Sequence, residues 1–322
     1  MIICIAAKIK KALGDMVEKR LAGHDLRWLE TMAPEERIAS LKEADIVLCA
    51  MLTVELKPEE KLLLGRAKHV QTMSAGVNQI DFSQLPREIA LHCNAGGWSH
   101  AMAEHALAMT LACTRALRYQ TEDLRDGKYS VELRPMRLLD GSTVLIFGWG
   151  GIGKASAKLY KAFGSKLIAV SRNAPKDEML EAGYSFGEFR EALPQADVVL
   201  LCCPSNVVTR NMINAETLAL MKEDAILVNV ARADLIVKED LEKHLHSHPQ
   251  FYAALDVWWK ERRAYPTEGE EILKLPNVIG TPHNSHLSST AYAEAADSAL
   301  KNIERFINGE PRLGVINLDE YR

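Results

Sequence analysis

No run in the 322 residues approaches eighteen consecutive apolar positions, roughly the length at which a helix becomes a candidate membrane span. The chain also lacks a basic block. Lys and Arg number 39 against 43 Asp and Glu, a net charge of −4, and such a chain has no clustered cations with which to displace counterions from nucleic acid. The six cysteines (Cys4, Cys49, Cys93, Cys113, Cys202, Cys203) show no C-x-x-C spacing and mostly sit in apolar runs. They read as buried free thiols of a reducing compartment. A secretory signal is missing too: the apolar run 1–7 meets Lys8 and Lys10 at its far end, whereas a signal places its charges first. There is no internal repeat and no low-complexity tract, which excludes solenoids and compositional tails. These absences predict a cytoplasmic protein with no nucleic-acid and no membrane partner. What is present, 48% hydrophobic and 25% charged residues, suffices for a sizeable core, and the length predicts two domains.

Strand-like and helix-like segments alternate from the start. Residues 2–6, 45–50, 70–73 and 89–93 have strand composition, while 13–21 and the charged stretch 58–67 have helical periodicity. After the turn Asn94-Ala95-Gly96-Gly97 comes a long helix pattern, 101–119, too apolar to be buried on one face alone. A second series follows, with strands at 143–147, 166–170, 196–203, 225–230, 251–257 and 278–281 and a helix at 154–163. Residues 291–308 read as an amphipathic helix ended by Gly309 and Pro311. The pattern predicts an α/β protein of two Rossmann-like or flavodoxin-like domains with parallel sheets. The nucleotide domain, 96–286, is expected to be inserted into a discontinuous substrate domain, 1–95 and 287–322, with the last helix returning to the first domain.

The strand 143–147 runs into Gly148-Trp149-Gly150-Gly151-Ile152-Gly153, with a helix after it and the next strand on schedule. This is G-x-G-x-x-G in a β-α-β unit, the pattern that receives a dinucleotide pyrophosphate at a helix N-terminus. An NAD site ends its second strand with an acidic residue that accepts from the ribose hydroxyls. Here that place holds Ser171, then Arg172 and Asn173, with no Asp or Glu from 154 through 176. A guanidinium pairs with a 2′-phosphate that a carboxylate would repel, so NADP(H) is the expected cofactor and NAD(H) the weaker one.

Three ionisable residues lie at or near later strand ends, where open α/β sheets bind ligands: Arg232, Glu261 and His283. With the glycine turn, Ala103-Glu104-His105, Asn229-Val230-Ala231-Arg232, Leu255-Asp256-Val257 and Pro276-Asn277-Val278 leading to Thr281-Pro282-His283, the chain resembles the D-isomer-specific 2-hydroxyacid dehydrogenase family over nearly its whole length. The likeness is to NADP-preferring glyoxylate and hydroxypyruvate reductases. It implies that His283 protonates the developing alkoxide of a 2-keto acid, and that Arg232 holds the carboxylate and carbonyl oxygen. It further implies that Glu261 hydrogen-bonds His283 and keeps a proton available. Ala75, Gly76 and Val77 would bind the substrate anion through backbone N–H groups. Asp256 would hold the nicotinamide carboxamide, and Pro204, Thr209 and Ala231 would line the rest of the cofactor site. A substrate cleft between the domains and a homodimer built on helix 101–119 are also implied.

Two departures stand out. Ala233 follows Arg232 where the family writes Gly, and Arg262 follows Glu261 where it writes Pro; Glu268, Glu270 and Glu271 are fallbacks for Glu261. Trp258 and Trp259 fit either the pocket or the core. His244-Leu245-His246-Ser247-His248 reads as a solvated helix end, and no metal is expected. Rival functions are a related dehydrogenase of phosphite or formate, and a cofactor-sensing binding module like the family's corepressors.

Overall fold

A computed structural model describes residues 1–7, 11–129, 136–259 and 271–321. The apolar runs become parallel strands buried on both faces, as uninterrupted Val/Ile/Leu composition requires. The chain forms two compact units, Met1–Trp98 with Ser288–Arg322, and Ser99–Leu287.

The first unit holds β1 (Ile2–Ile5), β2 (Asp25–Trp28), β3 (Ile46–Cys49), β4 (His69–Thr72) and β5 (Leu91–His92). Their order is β2-β1-β3-β4-β5 and every pairing is parallel, the flavodoxin-type arrangement. The helix Ala291–Ile307 lays Ala296, Ala299, Leu300 and Ile303 on Ile3, Ile5, Ile46 and Leu48. That spacing is one helical stripe, so the late helix covers the core begun by the first strand. Arg20 pins it from the neighbouring helix, donating to Asp297 Oδ1 at 2.6 Å and Glu304 Oε1 at 2.7 Å.

In the second unit β6 (Thr143–Phe147), β7 (Lys166–Ser171), β8 (Ala182–Ser185), β9 (Val198–Leu201), β10 (Ile226–Asn229), β11 (Tyr252–Leu255) and β12 (Val278–Gly280) form one sheet. The order is β12-β11-β10-β9-β6-β7-β8, again all parallel. Counted from β6 this is the dinucleotide-binding order with a seventh strand added, and the order reverses between β6 and β9. The expected class, α/β with two parallel sheets and a discontinuous first unit, is what the structure has.

Local differences from the sequence reading have physical causes. The helix expected at 101–119 stops at Thr114 and restarts as Leu117–Arg125, because buried Ala116 adopts a left-handed φ of 48°. The stretch 58–67 is a short α-turn, Pro58–Lys61, followed by a 3₁₀ turn, Leu62–Arg66. The edge strands β2 and β8 went unanticipated; their residues are only half covered and carry little apolar signal.

Candidate active site

The site of the second unit is organised by one rung. Val170, Phe147, Leu201, Asn229, Leu255 and Gly280 lie side by side across six neighbouring strands. Gly148 and Asp256 stand one residue beyond it, and Arg232 and His283 three residues beyond it.

At the reversal point β6 gives way to the glycine turn, where Gly148 has φ +106°. A Cβ there would sit 2.9 Å from Cys202 O, so the turn lies hard against the chain leaving β9. Gly153 touches the turn as closely, since a Cβ would stand 2.0 Å from Gly148 O. Gly150, the N-cap of the helix Gly151–Ala162, is the reverse case: a Cβ there would meet nothing within 4 Å. Two glycines are thus required by packing and the middle one faces open space at a helix N-terminus. That is the arrangement a pyrophosphate needs. Ser205, buried just past β9, has a hydroxyl with no hydrogen-bond partner among the described residues. The residues fit a dinucleotide.

Ser171 closes β7 half-buried, and Arg172 and Asn173 follow it exposed. Sequence reasoning missed a carboxylate that comes back to the turn: Trp149 Nε1 donates to Asp177 Oδ2 at 3.2 Å. Pro204 is exposed, whereas Thr209 is buried and stitches its own loop, donating to Pro204 O at 2.7 Å and accepting from Asn206 N at 2.9 Å.

Asn229, fully buried at the end of β10, sets the Arg232 loop. Its Oδ1 accepts from Ala231 N at 3.0 Å and its Nδ2 donates to Arg232 O at 2.8 Å. The Arg232 guanidinium donates to Ala231 O at 2.6 Å. β10 and β12 are separated by β11, so the strand ends that lead into the Arg232 and His283 loops lie about 10 Å apart.

Asp256 is fully buried and hydrogen-bonded within the chain. Oδ1 accepts from Thr281 Oγ1 at 2.6 Å and from Asn284 N at 3.0 Å, and Oδ2 accepts from Ser285 N at 3.0 Å. Thr281 Oγ1 also meets His105 Nε2 at 3.0 Å. The carboxylate thereby holds His283 in a left-handed conformation, φ +51°, a strained state that persists only where the surroundings enforce it. Trp258 braces the same turn from the core, its Nε1 donating to Thr281 O at 2.8 Å, while Trp259 Nε1 donates to Ile236 O at 2.9 Å. His286, which the motif reading passed over, has its ring 6.3 Å from that of His283. Burial, helped by the charges of His283 and Arg232 and opposed by Asp256, holds its pKa below the usual histidine value.

Glu261, Glu268 and Glu270 lie outside the described residues; Glu271 is exposed and pairs with Lys274 at 2.8 Å. In the first unit Ala75, Gly76 and Val77 follow β4, with Val77 buried. The 244–248 tract is only in part the solvated face expected: His246 and Ser247 are exposed, whereas half-buried His244 stacks on His248 at 4.0 Å and meets Phe251 edge-on, and burial lowers its pKa to about 4. Among the described residues no cluster of three His, Cys, Asp or Glu is spaced to hold a metal, and no helix is long and apolar enough to cross a membrane. The thiols of Cys202 and Cys203 are driven up by burial, Cys203 to about 12, which makes them poor nucleophiles.

Residues 107–285 match the family described as D-isomer specific 2-hydroxyacid dehydrogenase, NAD binding domain. The chain is 30% identical over 294 residues to a D-3-phosphoglycerate dehydrogenase of Methanocaldococcus jannaschii, covering 89% of this chain but only 54% of that longer one. To a glyoxylate reductase of Thermococcus litoralis it is 30% identical over 303 residues, covering 91% of this chain and 90% of the relative. A solved D-isomer specific 2-hydroxyacid dehydrogenase family protein from Aeromonas salmonicida superposes with a TM-score of 0.75 at 26% identity, over 98% and 99% of the two chains.

Proposed function

The chain belongs to the D-isomer specific 2-hydroxyacid dehydrogenase family of NAD(P)-dependent enzymes, and on that premise we propose that it reversibly reduces a small 2-keto acid to the D-2-hydroxy acid, with NADP(H) preferred over NAD(H). The observation that carries the reading is the common rung: the glycine turn, Arg232 and His283 all leave the sheet just beyond it. A bound dihydronicotinamide supplies the hydride. The chain's own part is to hold and polarise the acceptor. Arg232 offers a planar fork to the carboxylate and carbonyl oxygen, and its charge stabilises the alkoxide as it forms. The His283 imidazole gives that oxygen a proton. Asn229 and Asp256 act through these two residues, fixing the loop of one and the turn of the other. Glu261 supports the His283 imidazolium, and Ala75, Gly76 and Val77 present backbone N–H groups to the substrate carboxylate. Ser171, Arg172 and Asn173 receive the 2′-phosphate. Two copies of the chain form a homodimer, expected to elute at twice 35.8 kDa.

Loss of NADPH absorbance with glyoxylate, hydroxypyruvate, pyruvate and phenylpyruvate tests the activity; silence across the panel would sink it. The KM for NADPH is expected to lie below that for NADH, and Arg172→Ala to narrow the gap. An equal or lower KM for NADH overturns the NADP assignment. Arg232→Ala is expected to lower kcat/KM by about a hundredfold or more.

A further inference from the structure

The loop after β7, which carries the residues proposed above to receive the 2′-phosphate, returns to the glycine turn beside which it starts. At its departure Gly148 N donates to Val170 O at 2.8 Å. At its return Trp149 Nε1 donates to Asp177 Oδ2 at 3.2 Å. Residues 171–176 therefore form a closed arch with both feet on neighbouring residues of the glycine turn, and Arg172 and Asn173 are exposed along it.

Several contacts build the far foot. Asp177 Oδ1 accepts from Met179 N at 3.1 Å, and Asp177 O accepts from Leu180 N at 3.0 Å, a local turn that orients the carboxylate. Lys161, on the helix that follows the glycine turn, donates to Met179 O at 3.2 Å. Trp149, Met179 and Leu180 pack against one core cluster. Between the feet, Pro175 O lies 2.0 Å from the place where Gly183 of β8 would carry a Cβ, so the arch is pressed onto the edge strand.

Tying the second end of a short loop removes most of its conformations before a ligand arrives, and binding then has less ordering to oppose it. A 2′-phosphate gains from this, because it is held by side chains of the arch. A 2′-hydroxyl carries no charge for a guanidinium to meet, so NADH gains little. Asp177 is also the first acid after the glycine turn, and each of its oxygens already takes an N–H donor of the chain.

We propose that Trp149 and Asp177 are positioning residues that clasp the 171–176 arch in its binding geometry, so that discrimination between NADPH and NADH depends on their hydrogen bond. This rests on the NADP(H) preference proposed above, and the clasp acts through Arg172.

The test is titration with NADPH and with NADH, read by the fluorescence of the bound dihydronicotinamide. The wild-type chain is expected to hold NADPH more tightly by about tenfold or more. Trp149→Phe keeps a ring and loses the donor, and Asp177→Ala removes the acceptor. Each is expected to weaken NADPH by about fivefold and NADH by less than about twofold; where one variant does not fold, the other carries the same comparison. Adding Trp149→Phe to an Arg172→Ala chain is expected to leave the ratio of the two affinities where Arg172→Ala alone puts it, because nothing is left to position. Equal weakening of both cofactors would make the clasp a structural tie and overturns the proposal, as does a ratio that neither variant moves or that falls further in the double variant. A wild-type chain that binds NADH as tightly as NADPH overturns the cofactor reading and the clasp with it. A discriminating wild type with unmoved variants overturns the clasp alone.

Discussion

Asp256 shows how one buried charge serves a site through its neighbours. It accepts one hydroxyl and two backbone N–H groups and donates nothing from its side chain, so a carboxylate suits the place and an amide does not. Asp256→Asn would aim an N–H₂ group at an N–H donor in the interior. The expected cost is about 1–3 kcal/mol of stability, read as a lowered melting temperature, with a fall in kcat as the His283 turn loosens. An unchanged melting temperature would show that the clamp is dispensable. Glu261→Gln is expected to move the alkaline limb of the reduction rate to lower pH, since reduction consumes a proton that the carboxylate helps the imidazole to keep. An unmoved limb would transfer that role to another acid. At this scale Arg232 and His283 were legible because strand-end motifs announce them. His286, the Asp256 partners and the return of Asp177 to Trp149 were not, because each depends on the path of a turn and leaves no periodic mark in the sequence.

At the scale of elements the glycine turn separates two roles that its motif runs together. Gly153 abuts Gly148 O, whereas Gly150 borders open space. Gly153→Ala is therefore expected to destabilise the unliganded protein, by about 1–3 kcal/mol for an overpacked contact. Gly150→Ala should leave the melting temperature nearly unchanged and weaken NADPH binding by fluorescence titration. Equal effects of the two on stability would contradict the division. The parallel sheets could be read in advance because most strands buried on both faces are apolar, β4 with its buried His69, Gln71 and Thr72 being an exception. The edge strands could not: β2 reads Asp-Leu-Arg-Trp and β8 Ala-Gly-Tyr-Ser. The break at Ala116 was equally silent, since neither glycine nor proline marks it and tertiary contacts decide a residue's entry into the left-handed region.

In the molecule as a whole the two units carry separate cores, and the first buries a pair of histidines that makes it sensitive to acid. His69 and His92, on β4 and β5, stack at 4.2 Å with Phe306 against His69 at 5.3 Å. Burial, His92 and Arg312 depress His69 to about 3, and burial and Arg312 lower His92. Both rings are neutral in the folded chain and protonate readily once unfolded, so between the folded value and the unfolded value of about 6.5 the unfolded state binds more protons. Stability is thus full above that range and is lost as pH falls through it, by on the order of 3 kcal/mol at pH 4 for His69 alone. Hydrogen exchange at falling pH is expected to open peptides around β4, β5 and the helix Ala291–Ile307 before those of β6 and β9; the opposite order would refute this. The helix has one more consequence, for synthesis. β1 leaves the ribosome first, yet Leu300 and Ile303, which cover it, emerge almost 300 residues later. The nascent chain therefore holds Ile3, Ile5, Ile46 and Leu48 uncovered while residues 99–287 are already free to fold, and this is the interval in which a chaperone has most to protect.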